Sequence, residues 1–233
     1  MKRLMLMSNS TNHGEGYLDH AMEAILEHLG DVRRVLFVPW AKRDREEYTE
    51  LARRRFAREG IEVNGLQDSA ARDAIESAEA VFVGGGNTFR LLAALQRAQC
   101  IEPLRCRARQ GMPYLGASAG SGIAAPSIRT TNDMPIVQPQ CFEALALVPF
   151  QINAHYLDAD KNSRHMGETR EERLLEYLEE NEIPVVGLRE GSWLRAAGTT
   201  VCLEGKAGAR IFRRGHDPVE AAPGDSIGAL VTM

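Results

Sequence analysis

Gly116-Ala117-Ser118-Ala119-Gly120 sets a serine between two glycines at G-x-S-x-G spacing. A strand that reverses sharply into a helix leaves room only for small neighbours. It also pushes the middle side chain out of the sheet. Ser118 is therefore the candidate nucleophile. A serine that attacks a carbonyl needs donors for the oxyanion it creates. Gly84-Gly85-Gly86 follows an apolar run and precedes a helical pattern. Glycines let backbone N–H groups face a ligand with no side chain in the way. The same pattern could cradle a phosphate, but it lacks both the Lys-Ser/Thr of a P-loop and G-x-G-x-x-G spacing. The nearby serine favours the oxyanion reading, with Gly86 N–H and Ala119 N–H as the donors.

The nucleophile needs a base, and the base an orienting acid. His155 closes the stretch QINAH, at the end of an apolar run, and Glu190 lies just past another, VVGLRE. At strand carboxyl ends both would reach the same rim as Ser118. An α/β-hydrolase runs Ser, Asp/Glu, His. Here the order is Ser, His, Glu, which resembles the class I glutamine amidotransferase arrangement with serine replacing cysteine. His13, His20, His28, His165 and His216 fall on helical patterns or loops and are read as incidental.

The elements needed to position these groups are legible as alternation. Apolar strand patterns cover Arg3–Ser8, Arg34–Pro39, Ile61–Leu66, Ala80–Val83, Pro113–Ala117, Pro149–Ala154 and Pro184–Leu188. Helical spacing covers Tyr17–Leu29, Asp44–Glu59, Asp73–Ala78, Asn87–Gln96 and Glu168–Asn181. The tail Trp193–Phe212 reads as short antiparallel strands joined by glycine turns. This predicts an α/β three-layer sandwich with a mostly parallel central sheet. Ligands of such sheets sit at the carboxyl ends of the strands. No linker or repeat divides the 233 residues, so one domain over 1–233 is expected.

Composition narrows the partners. Net charge is −4, which provides no field for nucleic acid or an anionic membrane. Arg53, Arg54, Arg55 and Arg58 alternate with glutamates and read as a solvated helix face. No apolar run spans a membrane, and the short apolar start is a strand rather than a signal peptide. The four cysteines form no CxxC pair, and with the histidines they complete no zinc pattern. They read as reduced thiols of a cytoplasmic protein.

MLMSNST, VGGGNTF, GASAG, SIRTTNDMPIV, FQINAH, GETREER and GLREGSW, in this order, resemble peptidase E, the α-aspartyl dipeptidase family of serine peptidases. The resemblance implies a class I glutamine amidotransferase-like fold. It implies hydrolysis of dipeptides with N-terminal aspartate, using no metal or organic cofactor. The partner would be a small peptide, and the chain a monomer or homodimer. Carried over, Ser118 is the nucleophile, His155 the general base and acid, and Glu190 the orienting acid. Asp133 matches a position important for activity, near the triad or the substrate's α-amino group. Arg170 matches an arginine that meets the substrate carboxylate, with Arg129 as second candidate. Glu168 and Asn87 are further candidates for the amine, and Thr88 completes the substrate-binding set. Ser121 is read as a hydroxyl capping the helix start. The polar stretch 157–168 is expected to be a lid that excludes longer peptides. Two other readings are a cyanophycinase-like β-aspartyl peptidase and a non-catalytic binding module on the same fold.

Overall fold

The structure, a computed structural model, describes residues 1–160, 164, 166–198 and 200–231. Its strands are β1 (Arg3–Met7), β2 (Arg34–Val38), β3 (Glu62–Gly65), β4 (Ala80–Val83), β5 (Tyr114–Ala117), β6 (Gln151–Ala154), β7 (Val185–Leu188), β8 (Ser192–Ala197), β9 (Thr200–Gly205), β10 (Ala209–Phe212) and β11 (Val219–Ala221). Its α-helices are α1 (Met22–Leu29), α2 (Arg45–Ala57), α3 (Ala71–Ser77), α4 (Thr88–Arg97), α5 (Ile101–Gln110), α6 (Ala119–Gly122), α7 (Arg170–Glu180) and α8 (Gly228–Val231).

A seven-stranded sheet runs β3-β2-β4-β5-β1-β8-β9. Its β3, β2, β4, β5 and β1 pair in parallel, and β8 and β9 add antiparallel pairings. Strand β1 sits inside the sheet and is apolar on both faces, as a doubly covered strand must be. Leu4 and Leu6 join the core formed with α3, α4 and α5, whereas Met5 and Met7 join the core under α1 and α2. This is the mostly parallel, helix-covered sheet that the alternation predicts.

Two features differ from the expectation. The tail does not stay in one sheet: β10 leaves β9 and pairs with β7, giving a second sheet of order β11-β10-β7-β6. Its inward residues Ile152, Val186, Leu188 and Ile211 pack into the same core as Leu4, Leu6 and Leu194. Burial of that apolar face decides the pairing, and no local pattern encodes it. The second is α5, a segment to which the sequence reading assigns no element and in which Pro103 occurs. The proline lies in the first turn, where no intrahelical N–H bond is needed, so the helix tolerates it.

The arginine cluster on α2 is a solvated face: Arg53 and Arg54 pair with Glu50, and Arg55 with Glu59 and Asp19. Among the described residues no helix is long and apolar enough to cross a membrane.

His28 on α1 sets a pH limit on the fold. It is buried, and among the described residues its Nε2 has no hydrogen-bond partner. Burial, reinforced by Arg3 and Arg195, pushes its imidazole down to about 4. An unfolded histidine titrates near 6.5, so below that pH the unfolded chain binds a proton that the folded one refuses. Stability from this residue is complete above about pH 6.5 and is lost as pH falls toward 4. Between pH 7 and 4.5 the loss should be roughly 2–3 kcal/mol. His28→Phe should flatten the acid side of the stability curve by that amount, as read from urea midpoints at the two pH values. Equal slopes in wild type and variant would refute it.

Candidate active site

Strand β5 ends at Ala117, and the chain reverses through Ser118 into the single turn of α6. Ser118 holds φ 51° and ψ −110°, a conformation that non-glycine residues rarely adopt. Its N–H donates to Met7 O at 3.0 Å, which keeps the elbow in the sheet. The motif's second glycine is dictated by space. A Cβ on Gly120 would lie 2.0 Å from Val83 O. Gly120→Ala should therefore displace the elbow against β4 and cost roughly 3–5 kcal/mol, with activity lost alongside. A thermal midpoint unchanged from wild type would contradict this. The Ser121 hydroxyl does not cap the helix: it is buried and donates to Met7 O at 2.7 Å.

His155 follows β6 and Glu190 follows β7, so the two come from the second sheet and Ser118 from the first. The sheets meet at this rim. Ser118 Oγ lies 2.9 Å from His155 Nε2, and His155 Nδ1 lies 2.6 Å from Glu190 Oε1. A carboxylate can only accept, so Nδ1–H donates to Glu190. In neutral imidazole this leaves the Nε2 lone pair to accept from the serine hydroxyl. His155 also has positive φ, 55°.

Gly86, at φ +136°, approaches Ala41 so closely that a Cβ would meet Ala41 O at 2.7 Å. Among the described residues, neither Gly86 N–H nor Ala119 N–H donates to a protein acceptor, whereas Gly85 N–H is taken by the Tyr48 hydroxyl at 2.9 Å. Ala119 N–H follows Ser118 directly, and Gly86 follows Gly85, where an added Cβ would lie 3.1 Å from Ser118 Cβ; open N–H groups are what an oxyanion needs.

Asp133 accepts at Oδ2 from Thr88 N–H at 2.7 Å, Thr88 Oγ1 at 2.5 Å and Thr131 Oγ1 at 3.2 Å. Its Oδ1 has no donor among the described residues. The carboxylate thus caps α4 and keeps one oxygen open. A cavity of about 30 Å³ is lined by Ser118, His155, Ala119, Thr88, Asp133 and Asn132, among others. Arg170 opens α7 and forms no ion pair among the described residues. The glutamates around it are engaged elsewhere: Glu168 with Arg173, Glu171 with Arg210, and Glu172 in a capping box with Thr169. Burial pulls the Arg170 guanidinium below its ordinary range. Arg173 adds to that, and Asp133 opposes it. Arg170 and Asp133 therefore lie within electrostatic reach of each other.

Three candidates are engaged with other partners. Asn87 caps α4, its Oδ1 accepting from Arg90 N–H, and its Nδ2 donates to Met134 O. Arg129 lies over the Phe142 ring and lines a neighbouring groove with Phe89 and Tyr177. Glu168 turns to Arg173 at 3.5 Å. None of the three lines the Ser118 cavity, and neither do Gly86 and Arg170. The lid expectation falls partly on residues 161–163 and 165, outside the described residues. Before them, Asp158 is held bidentately by Arg189. Among the described residues, no group of three or more His, Cys, Asp or Glu could hold a metal ion.

Sequence reasoning assigned no role to Ser8 and Asn9, which touch the His155 and Glu190 loops. Their only signal is position, directly after a strand that ends at the candidate site.

Comparison with known proteins is consistent in kind. The family model described as Peptidase family S51 matches residues 4–203. Peptidase E of Streptomyces coelicolor is 55% identical over 233 residues, covering 99% of this chain and 95% of its own. A probable alpha-aspartyl dipeptidase of Drosophila melanogaster is 47% identical over 227 residues, covering 95% of this chain and 94% of its own. Two solved structures share the fold. A putative peptidase E protein from Listeria monocytogenes EGD-e has a TM-score of 0.68 at 22% identity, over 89% of this chain and all of its own. A peptidase from an acI-B1 actinobacterium has a TM-score of 0.73 at 18% identity, over 97% of this chain and 96% of its own.

Proposed function

Because this chain belongs to peptidase family S51, we propose that it is a serine-type dipeptidase that hydrolyses Asp-Xaa dipeptides through an acyl-enzyme on Ser118. The observation that carries this reading is the run of contacts from Ser118 Oγ through His155 to Glu190, at 2.9 Å and 2.6 Å. His155 Nε2 takes the serine proton as Oγ bonds to the aspartyl carbonyl carbon. Gly86 N–H and Ala119 N–H receive the oxyanion, a donor each worth about 3 kcal/mol of barrier. His155 then gives the proton to the departing amine, and the C–N bond breaks. Water, deprotonated by His155, attacks the ester carbonyl; the bond to Ser118 Oγ breaks, His155 returns the proton to Oγ, and aspartate leaves.

Charge selects the substrate. Arg170 would meet the β-carboxylate, for which a guanidinium offers paired donors. Asp133 Oδ1 would accept from the α-ammonium, which ties recognition to a free N-terminus. The relatives named for aspartyl dipeptidase and peptidase E activity support this class of substrate. We also read the enzyme as cytoplasmic, which four free cysteines favour.

The test is hydrolysis of Asp-Leu against Glu-Leu, Asn-Leu, N-acetyl-Asp-Leu and a β-aspartyl–arginine polymer, with EDTA present. Cleavage of Asp-Leu alone is expected. Preference for the polymer would favour the cyanophycinase-like reading, and no cleavage of any of them a binding module.

A further inference from the structure

We propose that the carboxyl end of β1, Met7-Ser8-Asn9, is the template that positions all three reacting groups, with Ser8 as the positioning residue for His155. The inference rests on the reading of Ser118, His155 and Glu190 as a hydrolytic triad. Each of the three consecutive residues holds one arm. Met7 O accepts from Ser118 N–H at 3.0 Å. Ser8 Oγ accepts from His155 N–H at 2.9 Å. Asn9 Oδ1 accepts from Gly191 N–H, the peptide next to Glu190, at 2.8 Å.

Ser8 does more than meet one group. Its Oγ also donates to Leu188 O at 2.8 Å, and its own N–H donates to Ser192 O at 3.0 Å. It is fully buried. A hydroxyl serves here because it can donate and accept at once. Alanine would leave the half-buried His155 N–H unpaired and would take one of two donors from Leu188 O, which Tyr156 N–H still meets at 3.0 Å. Asn9 is itself fixed, its Nδ2 donating to Thr11 O at 2.9 Å and Asn12 Oδ1 at 2.7 Å.

The arrangement answers a specific difficulty. Ser118 hangs on the first sheet and His155 on the second, so their separation depends on how the sheets dock at this rim. Both residues also sit at positive φ, a conformation that persists only where neighbours hold it. The β1 end bonds to both sheets at the point where reacting atoms must meet. A displacement of about 1 Å there can cost about 10²-fold in rate.

The test uses Ser8→Ala, Ser8→Thr and Asn9→Ala in the full chain. Steady-state rates on Asp-Leu, thermal midpoints and the ¹⁵N shifts of the His155 imidazole, which report its tautomer, are measured. Ser8→Ala should lower kcat about 10²-fold with KM almost unchanged. The imidazole shifts should move from the pure Nδ1–H tautomer toward a mixture. Ser8→Thr, which keeps the hydroxyl, should recover most of kcat. Asn9→Ala should lower kcat about tenfold through Glu190. A folded Ser8→Ala with a lower midpoint but wild-type kcat and imidazole shifts would overturn the proposal. If Ser8→Ala does not fold, Asn9→Ala decides, and unchanged kcat and shifts there would overturn it. A wild type inactive on Asp-Leu would refute the proposed function instead, and the imidazole shifts would still test the template.

Discussion

Replacing Ser118 with alanine should lower kcat for Asp-Leu by about 10⁴-fold or more while leaving the fold in place. The hydroxyl points to His155 rather than into the core, and the residue's backbone bond to Met7 O does not involve it. The strain of the elbow is the same for alanine, so the thermal midpoint should stay close to wild type. What disappears is the attacking atom. The open N–H groups of Gly86 and Ala119 would remain, so weak binding of Asp-Leu should survive. Turnover by the variant within tenfold of wild type would mean that water is activated some other way. Glu190→Gln should be milder, since it keeps a group beside Nδ1 and removes only the charge that favours imidazolium.

Arg170→Met should lower kcat/KM for Asp-Leu by about 10²-fold or more, because a carboxylate would then be desolvated without its partner. The decisive quantity is the ratio of Asp-Leu to Asn-Leu hydrolysis. In wild type the guanidinium favours the charged side chain. In the variant that preference should collapse, while the rate on Asn-Leu changes little. Arg170 carries this expectation rather than Arg129 because its neighbouring glutamates are satisfied elsewhere, and because Asp133 acts on it electrostatically. A variant that keeps full selectivity for aspartate would reassign the carboxylate to another cation, with Arg129 the first to test. Asp133→Asn should hurt differently. It keeps the α4 cap through the remaining oxygen but weakens recognition of the α-ammonium, so N-acetylation should matter less in that variant.

How much of this was legible in the sequence depended on the range of the interaction. The elbow was legible because it is local: Gly120 is required by contact with Val83 O, and small-residue spacing records that need directly. The alternation of β1, β2, β4 and β5 with helices was legible because burial on both faces leaves largely apolar runs. The second sheet was not. β6, β7 and β10 look like further members of one sheet, and only the packing of Ile152, Val186 and Ile211 on the common core separates them. His155 and Glu190 were found by position at strand ends, an argument that holds whichever sheet the strands join. Asn87, Arg129 and Glu168 have suitable chemistry in suitable segments. The structure gives each another partner: a helix cap, an aromatic ring and Arg173. Ser8 and Asn9 went unassigned for the opposite reason. A serine and an asparagine after a strand suit an ordinary turn, and their value appears only when β1 lies beside the loops of the other sheet.

The central claim is that Ser118 is the atom that attacks. The most direct measurement is titration of the wild type with a serine-reactive phosphonofluoridate, followed by peptide mass analysis and assay on Asp-Leu. The account predicts one equivalent of label on the peptide containing Ser118, activity falling in proportion, and protection by Asp-Leu. Full labelling of Ser118 with activity intact, or inactivation with Ser118 unmodified, would contradict it.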